Sequence, residues 1–537
     1  MNGTDRIVTD STDLTVAGAR SQALGDLLRR SAARVPDKTA LVWRERRESY
    51  AELDAAVNRV AHSLADRGVA QGDRVAIYSH NCREFVLVFF ALARLGAISV
   101  PINFMLTADE VAFILEHSGA IALITEDALA GEAEAAVKQL GDSEIRLFGW
   151  IGLGSLPAAP GWEDVREWEN HSAASAPEIL VGDDDPIQIM YTSGTESRPK
   201  GAVLSSRALI AQYTSVVVDG RMSADDIEVH ALPLYHCAQL HCFLTPDLWL
   251  GATSILLPGP DPATILRTIE TERATKLFCP PTVWVSLLRH PEFDKYDLSS
   301  LRKGYYGASI MPVEVLMELS ERLPGVGLTN FYGQTELSPL ATVLAPEDQL
   351  TKPGSAGRPT LNVETRVVDD DDIPVGIGEI GEIVHRSPQA MLGYWNDPVK
   401  TAEAFRNGWF HSGDLGVMDA DGYLSVVDRK KDMIKTGGEN VASREVEEVL
   451  YEHPDVSEAA VVGIPHPHWI EAVTAIVVSR TGTEPDAAAI IDHCKQRLAG
   501  YKVPKYVTFV AALPKNPSGK ILKRELRTAH AHLANGA

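Results

Sequence analysis

"YTSGTESRPKG", residues 191–201, is dense in glycine and hydroxyl side chains and carries a lysine near its end. Unencumbered backbone N–H groups, Ser and Thr donors and the Lys200 cation suit an oxyanion. Glu196, in the middle, repels that same ligand. Either the loop is not a phosphate site, or Glu196 points away from the phosphates, or it works through a cation. A nucleotide P-loop of the GxxxxGK[ST] kind is excluded. Lys200 follows Pro199, which has no N–H to offer, and precedes Gly201 where a hydroxyl residue is required.

From Gly72 to about residue 430, short apolar runs such as "RVAIYSH", "AISVPIN", "IALITE" and "TSILLPG" alternate with helical patterns such as "ADEVAFILEHSG" and "PATILRTIETERA". That alternation predicts parallel βαβ units. From Val363 the pattern becomes strands separated by turn residues, as in a small antiparallel subdomain. Its four acids, Asp369 to Asp372, read as a solvated hairpin turn. After "DRKKDMIKTGGENV" a compact α+β unit of roughly 100 residues begins, so a boundary is expected near Asp428.

A chain of 537 residues exceeds the size at which one core keeps growing, so more than one domain is expected. The net charge of −23 opposes broad attraction to nucleic acid or anionic lipid, and anionic ligands must be held by local positive sites. The first twenty residues mix acids with polar residues and lack an apolar core, so they read as neither a secretory signal nor a transit peptide, and a cytoplasmic protein is expected. The most apolar run, "FVLVFFALARLGAISVPINF" from Phe85, is broken by Arg94, Gly96 and Pro101. It reads as a buried helix leading into a strand, with no integral membrane association. Five cysteines without CxxC spacing read as reduced thiols.

Six further motifs follow in order: "LPLYHCAQL" at 232–240, "YYGAS" at 305–309, "NFYGQTE" at 330–336, "GWFHSGDLG" at 408–416, "DRKKDMIKTGGENV" at 428–441 and "PKNPSGKILKREL" at 514–526. With the 191–201 loop they resemble the adenylate-forming superfamily of acyl-CoA synthetases, adenylation domains and firefly-type luciferases, over roughly residues 25 to 530. The resemblance implies an α/β fold. A large N-terminal domain, 1–427, would hold doubly wound βα subdomains and a small antiparallel β subdomain. A hinge at 428–431 and a small mobile α+β domain, 432–537, would follow.

The resemblance also implies roles. Thr192, Ser193, Gly194, Thr195 and Lys200 cradle the β- and γ-phosphates of ATP. Gly307, Ala308 and Ser309 supply backbone around the adenine, and Tyr332 stacks on it beside Asn330 and Gly333. Thr335 contacts the α-phosphate, and Glu336 holds Mg²⁺ with Thr195. These assignments agree with the residue chemistry: a flat ring for a purine, a glycine for close backbone approach, and oxygen donors for a hard cation. Asp414 and Arg429 hold the ribose. Lys520, in a Pro/Gly-rich loop, bridges the carboxylate and α-phosphate as charge builds and pyrophosphate leaves. Rotation about Lys431 then brings Lys435, Gly437 and Gly438 to the site, leaving room for the pantetheine arm of coenzyme A.

The substrate acid is bounded by what is missing. No acidic residue lies between Leu232 and Pro246, where amino-acid-activating relatives place an aspartate, so a substrate ammonium would be unpaired. His236 matches a gate beside the substrate carboxylate, and Tyr235, Cys237, Gln239 and Tyr306 are expected pocket neighbours. Fatty, aryl and polycyclic acids all remain open. The expected activity is an acid:CoA ligase. The alternative stops at acyl-AMP or hands the acyl group to a carrier protein. "IPHPHWIEAV" at 464–473 bears on that choice, because His466 and His468 replace an acid common in relatives and Ile470 stands where a Gly often precedes the Glu.

Overall fold

The computed structural model describes residues 16, 18–141, 144–154, 157–192, 199–307, 311–430, 432–436, 439–480, 486–516 and 519–536. The chain forms two compact units. The first is Met1–Gly259 with Thr335–Pro339 and Pro388–Thr401; the second is Pro260–Gln334 with Leu340–Ser387 and Ala402–Ala537.

In the first unit a parallel sheet runs in the order Ile98–Ile102, Arg74–Tyr78, Ala122–Glu126, Leu147–Ile151. Local signals fix the crossover helices. Ala108–Ser118 starts on a Thr107/Glu110 capping box and stops at Gly119 in the left-handed region, φ +64. The apolar run from Phe85 lies in helix Arg83–Leu95, twelve of whose thirteen residues are buried, and continues into strand Ile98–Ile102, as expected. Arg83, inside this core, donates to both Glu48 and Glu169. Two more strands join this sheet edge: Pro186–Thr192 lies parallel to Ile98–Ile102 and antiparallel to Lys200–Ser205. A second group of strands, Ile227–His230, Thr253–Leu256 and Thr39–Trp43, is parallel, with Arg46–Ser49 antiparallel at its edge.

In the second unit, parallel strands Lys276–Phe278, Lys303–Gly307 and Gly327–Gly333 meet the antiparallel strand Leu340–Leu344. The predicted antiparallel subdomain is present: Glu364–Val368, Gly381–Arg386, Trp409–Met418 and Leu424–Arg429 pair in succession. The acidic run forms the turn between the first two of these strands, with Asp369 N donating to Ile373 O. Beyond it, helix Ser443–Tyr451, strands Val456–His466 and Ile470–Ser479, and helix Ala487–Lys495 form around an apolar core. Asp428, at the expected boundary, accepts from Ser443 N and Oγ, both at 2.7 Å. Among the described residues no helix is long and apolar enough to cross a membrane.

Ile470 has φ +71, a conformation that is a genuine outlier for a β-branched residue. Its side chain is 66% exposed, so little packing offsets the strain. Ile470→Gly should raise stability against denaturant by about 1 kcal/mol, the left-handed penalty less the entropy glycine adds to the unfolded chain. A lowered unfolding midpoint would refute the strain.

Candidate functional site

In the first unit Lys200 stands at the start of its strand, in register with Thr192. Thr192 Oγ1 donates to Lys200 O at 3.4 Å. The Lys200 ammonium lies 5.4 Å from the Tyr394 ring centroid, within cation–π range. Tyr394 in turn donates its hydroxyl to Glu336 Oε1 at 2.8 Å. Thr335, beside Glu336, pairs its Oγ1 with Cys237 Sγ at 3.1 Å. Burial pushes the Cys237 thiol up to about 12, so it stays neutral next to the Glu336 carboxylate. The donors at 335–336 are a hydroxyl and a carboxylate, the hard oxygen set that Mg²⁺ takes, so these residues fit that ion.

The motif at 232–240 is braced from beneath. Gln239 Oε1 accepts from Leu232 N, and its amide nitrogen is 2.8 Å from His230 Nδ1. His230 stands between two buried carboxylates, 3.7 Å from Glu228 and 3.5 Å from Asp247. Gln239 is therefore a brace and not the pocket neighbour expected from sequence: it is fully buried and both ends of its amide are engaged. His236 Nδ1 accepts from Ala238 N at 3.2 Å, and Tyr235 packs edge-on to Phe104 at 5.3 Å.

In the second unit three side chains converge on one buried carboxylate. Asp414 Oδ2 accepts from Tyr332 OH at 2.8 Å and from Gln334 Nε2 at 3.0 Å. Asp414 Oδ1 lies 3.3 Å from Arg429 Nε, its partner across the strand pair. Burial first, then the Asp414 charge, holds the Tyr332 hydroxyl well above its ordinary pKa, so it remains a donor. Gly307 ends the neighbouring strand opposite Phe331, where an added Cβ would meet the Phe331 carbonyl oxygen at 2.4 Å; only glycine permits this approach. Asn330 donates to Ser355 O at 3.2 Å, and Gly333 is exposed at its strand end. Tyr306 gives its hydroxyl to Gln349 at 2.6 Å, so that group serves the fold.

The loop bearing Lys520 also belongs to this unit. Thr282 Oγ1 donates to Gly519 O at 3.2 Å, just past the carboxyl end of strand Lys276–Phe278. Gly519, at φ +80, leaves room that a Cβ would lose to Thr282 and Pro280. Lys520 N donates to Asn516 Oδ1, closing the turn, and the side chain is exposed. Lys435 is exposed as well, its N–H donating to Glu471 at 2.8 Å. His468 N and Trp469 N both donate to His466 Nδ1, closing the turn between strands Val456–His466 and Ile470–Ser479.

Several expected residues lie outside the described ones: Ser193, Gly194, Thr195 and Glu196 of the phosphate loop, Ala308 and Ser309, Lys431, and Gly437 with Gly438. Sequence reasoning missed Gln334 and Tyr394. Gln334 stood inside a recognised motif; Tyr394, in "MLGYW", stood in none. The Glu228–His230–Asp247 cluster was also unread, although the alternation of Glu228 and His230 on one strand puts both on one face.

Residues 28–395 match the AMP-binding enzyme family, and residues 445–520 match the AMP-binding enzyme C-terminal domain. A feruloyl-CoA synthase from an Amycolatopsis species is 39% identical over 509 residues, 95% of this chain and 99% of its own. An indoleacetate–CoA ligase from Aromatoleum aromaticum is 37% identical, over 94% of this chain and 97% of its own. The crystal structure of an anthranilate CoA ligase in complex with anthranoyl-AMP superposes with a TM-score of 0.88 at 30% identity, covering 97% of this chain and 100% of that one.

All five cysteines are free and buried, and burial raises the thiols of Cys82, Cys237, Cys242 and Cys494. A disulfide reagent at pH 8 should find no fast-reacting thiol in the native protein and five after unfolding. Fast labelling of Cys237 in the native state would contradict its placement against Thr335.

Proposed function

Because this chain belongs to the AMP-binding enzyme family, we propose how its own residues divide the work of an acid–thiol ligase. The enzyme is an ATP-dependent acyl-CoA synthetase. It joins a carboxylic acid to ATP as acyl-AMP, releasing pyrophosphate, and then transfers the acyl group to coenzyme A. Its small molecules are the acid, ATP with Mg²⁺, and CoA.

The nucleoside is assigned to the second unit's cluster. Tyr332 offers its ring to the adenine, with Gly307, Ala308, Ser309, Asn330 and Gly333 around it. Asp414 and Arg429 take the ribose hydroxyls; Asp414 Oδ1 is the oxygen not engaged by Tyr332 and Gln334. Lys200 and the 192–195 segment take the terminal phosphates, Thr335 takes the α-phosphate, and Glu336 with Thr195 would hold the metal. When bound, Mg²⁺ neutralises phosphate charge as the acid oxygen attacks phosphorus. Lys520 supplies the cation that spans the substrate carboxylate and the α-phosphate at that moment, lowering the barrier to a step between two anions. His236 gates the carboxylate.

The second step needs a thiol where Lys520 stood. We assign residues 428–431 as the hinge, 432–537 as the part that turns, and Lys435 with the 437–438 turn as its second face. The Asp428–Ser443 bonds span this hinge in sequence, so rotation must break them or carry Asp428 along. The cytoplasm is the setting we assign, in keeping with five unpaired cysteines.

The observation that carries the substrate reading is the 232–246 segment, which has no acidic side chain to meet an ammonium. The nearest acid beyond it, Asp247, is fully buried against His230. The acid is therefore read as one without an α-amine, and the apolar side chains of the same segment suit a hydrophobic acyl group. Fatty, aryl and polycyclic acids, each tested for pyrophosphate release with and without CoA, should sort the class. Acyl-CoA formed from any of them supports the ligase. Acyl-AMP that accumulates despite CoA would mean the acyl group passes to another acceptor such as a carrier protein.

Lys520→Ala should slow acyl-AMP formation by about 10²–10³-fold while leaving ATP binding nearly unchanged, because the cation acts where charge develops. A variant that forms acyl-AMP at the normal rate would remove Lys520 from the first step.

A further inference from the structure

Segment 388–395 leaves the chain order of the second unit and returns to the first, where it binds two pieces of the site at once. At one end, Met391 N donates to Glu336 O at 2.8 Å, Gln389 Nε2 donates to Leu337 O, and Ser338 Oγ donates to Gln389 O. At the other, Gly393–Tyr394 pairs antiparallel with Val203 and Ala202, and Trp395 N donates to Gly201 O at 2.7 Å. The segment therefore ties the strand that begins at Lys200 to the turn that carries Thr335 and Glu336. Tyr394 is the one residue of the described segment whose side chain is recorded touching both charges. Its ring lies under the Lys200 ammonium, and its hydroxyl holds Glu336 Oε1.

We propose that Tyr394 is a positioning residue for the metal–triphosphate end of the site. Its hydroxyl fixes the Glu336 carboxylate so that the remaining oxygen faces the cation, and its ring fixes the Lys200 ammonium in the same frame. This rests on the assignment of Glu336 to Mg²⁺ and Lys200 to phosphate made above. The physical reason is that a carboxylate on a short turn rotates about its side-chain torsions unless an outer partner holds it. Partners of that kind are worth ten- to a hundredfold in metal affinity. A phenol suits the task because it donates one bond without a charge of its own, so the carboxylate keeps its full charge for the metal. Its surroundings are fixed independently: Tyr394 N donates to Thr401 Oγ1 at 2.9 Å, and the neighbouring Trp395 side chain donates Nε1 to His117 O at 3.1 Å.

Tyr394→Phe separates the hydroxyl from the ring. Binding of Mn²⁺ to the full-length enzyme in the presence of ATP, followed by electron paramagnetic resonance, should weaken by about tenfold. The KM for the acid and the thermal midpoint of the ligand-free enzyme should stay at wild-type values. Tyr394→Leu removes the ring too, and should additionally weaken ATP binding measured without metal. Glu336→Gln is the control for the parent assignment. If Glu336→Gln loses Mn²⁺ and Tyr394→Phe does not, Tyr394 is only a packing residue and the proposal fails while the functional reading stands. If Glu336→Gln leaves Mn²⁺ binding intact, the metal assignment and the proposal fall together. A Tyr394→Phe enzyme with normal Mn²⁺ binding but a lowered thermal midpoint would likewise overturn it.

Discussion

A buried carboxylate must be hydrogen-bonded or it destabilises the fold around it, and Asp414 imposes that condition on the second unit. It is 4% exposed and collects a phenol, a side-chain amide and a guanidinium from two different sheets. Tyr332 and Gln334 come from the end of a parallel strand, and Arg429 from the antiparallel subdomain. Satisfying one acid therefore sets the direction of the Tyr332 ring and the position of Arg429. The parallel sheet and the antiparallel subdomain are locked together at this carboxylate.

The same chain has to bind polyanions with a net charge of −23. Much of its positive charge is not available for that. Arg83 is spent inside the core between Glu48 and Glu169, and Arg94 is buried against Asp54 and Gly25. These pairs neutralise carboxylates that burial would otherwise make costly. The cations assigned to ligand differ in setting: Lys200 and Arg429 are only partly buried, and Lys520 is exposed. Local placement of a few cations, not the field of the whole protein, has to supply the attraction.

Much of this was legible in the residues because it is local. The capping box at Thr107, the Gly119 stop and the alternation of apolar runs each act within a few positions, and the corresponding elements form. Contacts made over long chain separations were not legible. Tyr394 meets Glu336 across 58 positions and Gln334 meets Asp414 across 80, and nothing in either segment's periodicity announces the other. Gln239 was misread for a different reason: a polar residue in an apolar motif suggests a pocket, whereas packing turned it toward His230 and Leu232 nearby in the chain. The division of the chain into units was hidden likewise, since residues 335–339 and 388–401 return to a body that the sequence leaves at residue 259.

The two acids at the heart of the proposed chemistry are treated differently from those in the core. Glu48 and Glu169 are met by a guanidinium, which cancels their charge and leaves them inert. Glu336 and Asp414 each receive a phenol hydroxyl at 2.8 Å, from Tyr394 and Tyr332. A neutral donor fixes the direction of a carboxylate while leaving its charge in place. Asp414 keeps an Arg429 contact at 3.3 Å, with the arginine 38% exposed, so that interaction is screened by water. Orientation that leaves the charge in place suits the metal-ligand and ribose-acceptor roles proposed for Glu336 and Asp414, and a tyrosine hydroxyl at each supplies it.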